Sequence, residues 1–153
     1  MTTTTEENKR IARRIVEAVV EQGDLDAIEE IYAEDIVEHT PMGEVTGHEG
    51  IRRSFEVNSE AFSDYTVTVE DVVAEGDTVA VRLTERGTHD GELMGIEPTG
   101  EAFEHWTMAF MHFEDGRVVD WWVLPDNLGF MRQLGLVELP SEFAPVAATP
   151  EQE

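Results

Sequence analysis

Two hairpin signatures in the second half constrain this chain more than any other feature. Thr66–Ala74 and Thr78–Thr88 are β-branched runs joined by Glu75-Gly76-Asp77, and Phe103–Phe113 and Arg117–Leu124 are joined by Asp115-Gly116. Glycine supplies the positive φ that tight hairpin turns need, so each pair of runs is expected to fold back on itself as antiparallel strands. Between the hairpins, Asp90–Gly100 carries Gly91, Gly95, Pro98 and Gly100 and reads as a loop. The first half has a different period. Ile11, Ile15 and Val19, with Val16 and Val20 beside them, mark a helix over residues 6–22, with Thr5 placed to cap it and Gly23 to end it. A short second helix follows Asp24, a short extended piece runs from Ile36 to Thr40, and residues 47–62 read as a third helix. After Asp126, a short helix over Asn127–Leu134 closes on Gly135. Helices ahead of a four-strand antiparallel meander give an α+β fold: N-terminal helices packed on a curved antiparallel sheet that encloses a pocket. Residues 1–136 are expected to form a single domain, and residues 137–153, rich in Pro, Ala and acids, a flexible tail.

Charge limits the partners. Thirty-four acidic residues against ten basic give a net charge of −24, and Lys9 is the one lysine. Such a surface repels phosphate backbones and anionic headgroups, so the expected partner is a small molecule, with neither nucleic acid nor membrane. The acids lie among strongly periodic apolar residues, which points to a halophilic, acidic protein in which salt screens the self-repulsion, not to disorder. The Thr-rich N-terminus lacks the basic and apolar regions of a leader, and no apolar run approaches the span of a membrane, so the chain reads as cytoplasmic. There is no cysteine, which removes thiolate nucleophiles and disulfides. The five histidines lack metal-ligand spacing and no GxGxxG or P-loop motif is present, so neither a metal nor another cofactor is expected.

The residue that best suits chemistry is Asp126, after Trp122-Val123-Leu124-Pro125. It has two readings: an N-cap for the helix that follows, or a carboxylate in an apolar setting that suits proton transfer. If Asp115-Gly116 makes a two-residue turn, Glu114 pairs with Arg117 and His105 falls opposite Asp126, a workable acid/base pair. Thr107, Ala109 and Met111 would then share that face with Leu124, Trp122 and Asp120. An odd count would put Trp106, Met108, Phe110 and His112 there instead. His39, Arg82, His89, Trp106, His112 and Trp122 are the candidate substrate contacts. Glu34, Asp35 and Glu38 read as solvated surface, and His48 as exposed.

Several runs resemble a known family: Tyr32-x-x-Asp35-x-x-x-His39, Gly87-Thr88-His89, Pro98-Thr99-Gly100, Trp122-x-x-x-Asp126 and Gln133-Leu134-Gly135. Over about residues 10–136 the chain is similar to the SnoaL-like polyketide cyclases, also called ester cyclases. It departs from the common pattern at His112, where relatives often carry Arg, and at Ser63, where they often carry Pro. The resemblance implies an NTF2-like cone with a pocket between sheet and helices, and homodimers built on the sheet. It also implies cofactor-independent chemistry, in which the aspartate at the position of Asp126 serves as acid/base for aldol ring closure of a polyketide-like ester. Epoxide hydrolysis, ketosteroid-type isomerisation, or a non-catalytic binding or dimerisation module are the alternatives.

Overall fold

The computed structural model describes residues 4–142; the expectation of a flexible tail therefore lies mostly outside the described residues. Helix α1 spans Thr5–Arg14 and continues into a π-helical turn, Ile15–Glu21. The cap is Thr4 and not Thr5: its hydroxyl accepts from Glu7 N at 3.0 Å. The π turn is wider than an α turn, and it buries Ile15, Val16, Ala18 and Val19 around a broad apolar face. A 3-10 turn, Leu25–Ala27, leads into the short helix α2, Ile28–Ile31. Strand β1, Tyr32–Thr40, starts four residues earlier than the extended piece expected from the sequence. Strand β2, Gly43–Thr46, was not legible, because four residues are too few to show alternation. Helix α3 spans Gly47–Ala61.

The two hairpins form where the turn residues placed them: β3, Thr66–Glu75, with β4, Thr78–Thr88, and β5, Ala102–Glu114, with β6, Arg117–Pro125. Asp115 (φ 52°) and Gly116 (φ 82°) make the two-residue turn, and Glu114 pairs with Arg117. Helix α4, Asn127–Gln133, follows. The meander is not the whole sheet. Six strands run in the order β2-β1-β6-β5-β4-β3, and β1 joins β6 in parallel.

One irregularity decides which side chains face inward. Pairing steps from Phe113↔Val118 to His112↔Asp120, leaving Val119 as a bulge. Because side chains alternate with period two, one extra residue moves everything beyond it to the other face. The expected pairs of Met111 with Asp120 and Ala109 with Trp122 are replaced by Met111↔Trp121, Ala109↔Val123 and Thr107↔Pro125. His105 is therefore not the cross-strand partner of Asp126, although the turn has the expected length.

The main core gathers Ile15, Val19, Ile28, Ile31, Tyr32 and Ile36 from the first half against Val79, Met111, Phe113 and Val118 of the sheet. A second cluster, with Ala61, Phe62, Leu93, Phe103 and Leu134, ties the Asp90–Gly100 loop to α3 and α4. Gly91 is packed so tightly there that a Cβ would sit 2.0 Å from the Glu60 carbonyl oxygen. No helix among the described residues is long and apolar enough to cross a membrane.

Candidate active site

A cavity of about 280 Å³ lies between the sheet's inner face and the helices. The π turn contributes Ile15, Val16 and Val20 to its wall, and β4 contributes Val81 and Leu83. The alternation of β4 then brings Glu85 inward in line with Val79, Val81 and Leu83. Its cross-strand partner is His105, also in the cavity wall. Glu85 is held by two hydroxyls: Tyr65 donates to Oε1 at 2.5 Å, and Thr107 donates to Oε2. Burial, followed by the charge of Glu85, raises the Tyr65 hydroxyl pKa well above its ordinary value, so Tyr65 stays a proton donor.

His105 is 7% exposed in its side chain. Its ring stacks on Phe103 at 5.6 Å and meets the edge of Phe130 at 5.5 Å. Nδ1 lies 3.2 Å from the Trp106 carbonyl oxygen, an acceptor, which assigns the proton to Nδ1 in the neutral ring. Nε2 then faces Glu85 Oε1 at 4.0 Å, within the cavity wall.

Asp126 lies next to this group but is not part of the wall. Its backbone N–H donates to the same Trp106 carbonyl at 3.0 Å, and its neighbours Pro125 and Asn127 line the cavity. The carboxylate accepts from Gly129 N at 2.9 Å and caps α4. Gly129 is required for this: a Cβ there would meet Asp126 Oδ2 at 2.2 Å. His105 and Asp126 thus come together through a shared carbonyl instead of strand register.

The bulge at Val119 turns Trp122 away from the cavity, and the remaining candidates lie elsewhere by the alternation of their own elements. Trp106, His112 and Trp122 lie on the outer face of the sheet, with Trp106 and Trp122 exposed. His39 shares that face. It stacks on Trp122 with centroids 3.9 Å apart, and its Nε2 is 2.7 Å from Asp120 Oδ1. His112 Nδ1 lies 3.1 Å from Asp120 Oδ2, which also accepts from Trp122 Nε1 at 2.9 Å. Arg82 is exposed and paired with Asp71 of the neighbouring edge strand β3 at 2.7 Å. His89 is fully buried but outside the cavity wall, with Nδ1 accepting from Thr99 N at 3.2 Å. His48 is half-buried, its Nε2 2.8 Å from the Tyr32 carbonyl.

Burial acts to raise the Asp120 pKa, but hydrogen bonds from His39, His112 and Trp122 outweigh it and leave the pKa below the ordinary value. A depressed carboxyl pKa stabilises the fold above the unfolded value of about 3.9, and the gain fades as pH falls through the folded value. Asp120→Asn is thus expected to cost about 1 kcal/mol at pH 7, a cost that shrinks as pH falls through the folded value, read from thermal melts.

The cavity also holds residues the sequence reading missed. Glu38, taken for solvated surface, is only 7% exposed and lines the cavity. Ser54 Oγ donates to its Oε1 at 3.3 Å. Burial raises the Glu38 pKa, with the Ser54 hydrogen bond opposing. A signal for both acids was present: Ile36-x-Glu38 and Leu83-x-Glu85 each continue an inward set. Among the described residues, no group of three or more His, Asp or Glu is arranged to hold a metal ion.

A sequence model of the SnoaL-like polyketide cyclases matches residues 10–134. The chain is 42% identical over 62 residues to aklanonic acid methyl ester cyclase AcmA of Streptomyces galilaeus, a match to 39% of this chain and 41% of that protein. To aklanonic acid methyl ester cyclase DnrD of Streptomyces peucetius it is 32% identical over 131 residues, covering 82% of this chain and 88% of the relative. In structure it superposes on IdmH of Streptomyces antibioticus, a proposed polyketide cyclase, with a TM-score of 0.74 and 35% identity, covering 84% of this chain and 98% of that one. With the α+β architecture and a cavity between sheet and helices, these matches establish that the chain belongs to the SnoaL-like polyketide cyclase family.

Proposed function

We propose that this chain closes a ring in a small, largely apolar polyketide-like ester, moving the protons with its own carboxylate and imidazole groups. The observation that carries the reading is the placement of His105: its Nε2 faces an apolar cavity beside Glu85, while Asp126 is anchored across the Trp106 carbonyl. In the proposed step, a carboxylate takes a proton from a carbon between two carbonyls. The resulting enolate carbon bonds to a second carbonyl carbon. The new alkoxide then recovers the proton from the carboxylic acid, so the product is an isomer of the substrate. The Tyr65 and Thr107 hydroxyls, turned from Glu85, are the donors available to the developing oxyanion, and His105 Nε2 joins them when the ring is protonated.

Asp126 is the proposed acid/base group. It can leave Gly129 by rotating its side chain, at the cost of about 1 kcal/mol of capping, which is small against the gain from proton transfer. Glu85 is the second reading, favoured by the fact that it already lines the cavity. We also propose that the outer face, where Trp106, Met108, Phe110, Trp122 and Leu124 are exposed, pairs with a second copy.

The direct test is incubation with aklanonic acid methyl ester, followed by mass spectrometry and NMR. The expected product has unchanged mass and a new carbon–carbon bond. Gain of one water would indicate hydrolysis, a shifted double bond isomerisation, and saturable binding without turnover a binding module; each overturns the cyclase reading.

A further inference from the structure

The end of the cavity remote from His105 is polar in a way the proton-transfer step does not use. Glu38 on β1 and Trp121 on β6 are register partners across the parallel strands, and both line the cavity. Trp121 is in turn level with Met111, six residues along β5 from His105, or roughly 20 Å of extended strand. The Trp121 indole packs against Tyr32, with centroids 5.5 Å apart, and Phe55, at 6.3 Å. Its Nε1 is buried and has no hydrogen-bond partner among the described residues. The Tyr32 hydroxyl is in the same condition, and the residue is 0% exposed. Glu38 has the Ser54 hydroxyl as a hydrogen-bond partner, and among the described residues no cation is paired with it. Buried donors left without acceptors are rare, since each forfeits its hydration with no return. Here one such donor belongs to a side chain that lines the cavity, beside Glu38.

We propose that Glu38 and Trp121 form a second polar subsite, which holds a carbonyl oxygen at the far end of an extended polycarbonyl substrate. The inference rests on the cavity being the substrate site, as argued above, and adds how the substrate is oriented. The Trp121 indole N–H donates one hydrogen bond to the carbonyl oxygen. Glu38 donates another when its carboxyl is protonated, the form that burial favours. A substrate with oxygens at both ends is thereby aligned with its reacting carbons beside His105, and one with a bare hydrocarbon end leaves two buried donors unmatched. Glu38 and Trp121 are in this sense positioning and specificity residues, not proton-transfer groups.

The test uses the full chain, with aklanonic acid methyl ester and an unsubstituted anthraquinone as probes. In two-dimensional NMR, the indole resonance of Trp121, assigned by its loss in Trp121→Phe, is expected to move downfield on titration with the ester and not with the anthraquinone, whose ends are bare hydrocarbon. In binding assays, Trp121→Phe and Glu38→Leu are each expected to weaken the ester about tenfold, the effect of one neutral hydrogen bond. Glu38→Gln, whose amide still donates, should stay within about threefold of the parent. In turnover, KM should rise while kcat changes little. A Trp121 resonance that stays still while the ester saturates overturns the subsite, even if cyclisation proceeds. So does unchanged affinity in both Trp121→Phe and Glu38→Leu. Failure of the parent to bind either probe overturns the subsite and the cyclase reading together, whereas binding with the Trp121 shift but no turnover overturns cyclisation alone.

Discussion

Asp126→Asn is expected to lower turnover of a cyclisable polyketide ester by about 10²–10⁴-fold, the usual contribution of a general acid/base group. The substitution is nearly isosteric, and Asn is as good an N-cap as Asp. The hydrogen bond to Gly129 N survives in kind, and α4 stays docked through Phe130 on Phe103 and His105. A melting temperature close to that of the parent should therefore accompany the loss of rate, which separates chemistry from folding. Glu85→Gln is the companion variant. It retains an acceptor for the Tyr65 and Thr107 hydroxyls but loses the negative charge facing His105 Nε2. About a tenfold loss is expected if Glu85 only orients the imidazole and hydroxyl donors. Full activity in Asp126→Asn, with inactivity in Glu85→Gln, would move the proton-transfer role from the rim into the cavity.

Phe110→Glu combined with Trp122→Glu is expected to abolish self-association. The pair stands at the middle of the outer sheet face, where cross-strand register places Phe110 beside Trp122 and Met108 beside Leu124. Phe110 is 54% exposed and Trp122 52% in the isolated chain, a large apolar outlay on a protein with a net charge of −24. A two-fold interface would count each substitution twice. Withdrawing four aromatic side chains from burial corresponds to about 6 kcal/mol or more, beyond 10⁴-fold in the dissociation constant. Two copies of so acidic a chain repel one another, so the parent dimer should strengthen as salt rises, while the double variant stays monomeric throughout. Sedimentation velocity across a salt series reads both effects. A parent that sediments as a monomer at every salt concentration would refute the pairing.

The boundaries of the elements were largely legible because the information is local. Apolar spacing around Ile11, Ile15 and Val19, the β-branched runs, and the Asp115-Gly116 turn each specify backbone within a few residues. What was not legible depends on contacts between distant segments. Strand β1 looked like a short extended piece because its first residues gain their partners only from β6, in parallel, over eighty residues away in sequence. Glu38 and Glu85 looked like two more acids in a chain full of them. Their burial follows from the closure of helices over the sheet, which no single strand reveals.

The candidate site shows the same division. His105 was identified by counting from the turn, and it does stand next to Asp126, but through the Trp106 carbonyl. His112, Trp106 and Trp122 were placed with the substrate and instead lie on the outer face with His39. Val118-Val119 carries no mark of a bulge, yet the extra residue reverses the face of the rest of β6, Trp122 included, because side-chain direction depends on the parity of the count. By itself, then, the sequence determined the helices, the hairpins and the family motifs, all written in short-range spacing. Only the tertiary structure decided which acids and histidines enter the cavity, because that choice rests on register, bulge and burial, which are set jointly by strands far apart in the chain.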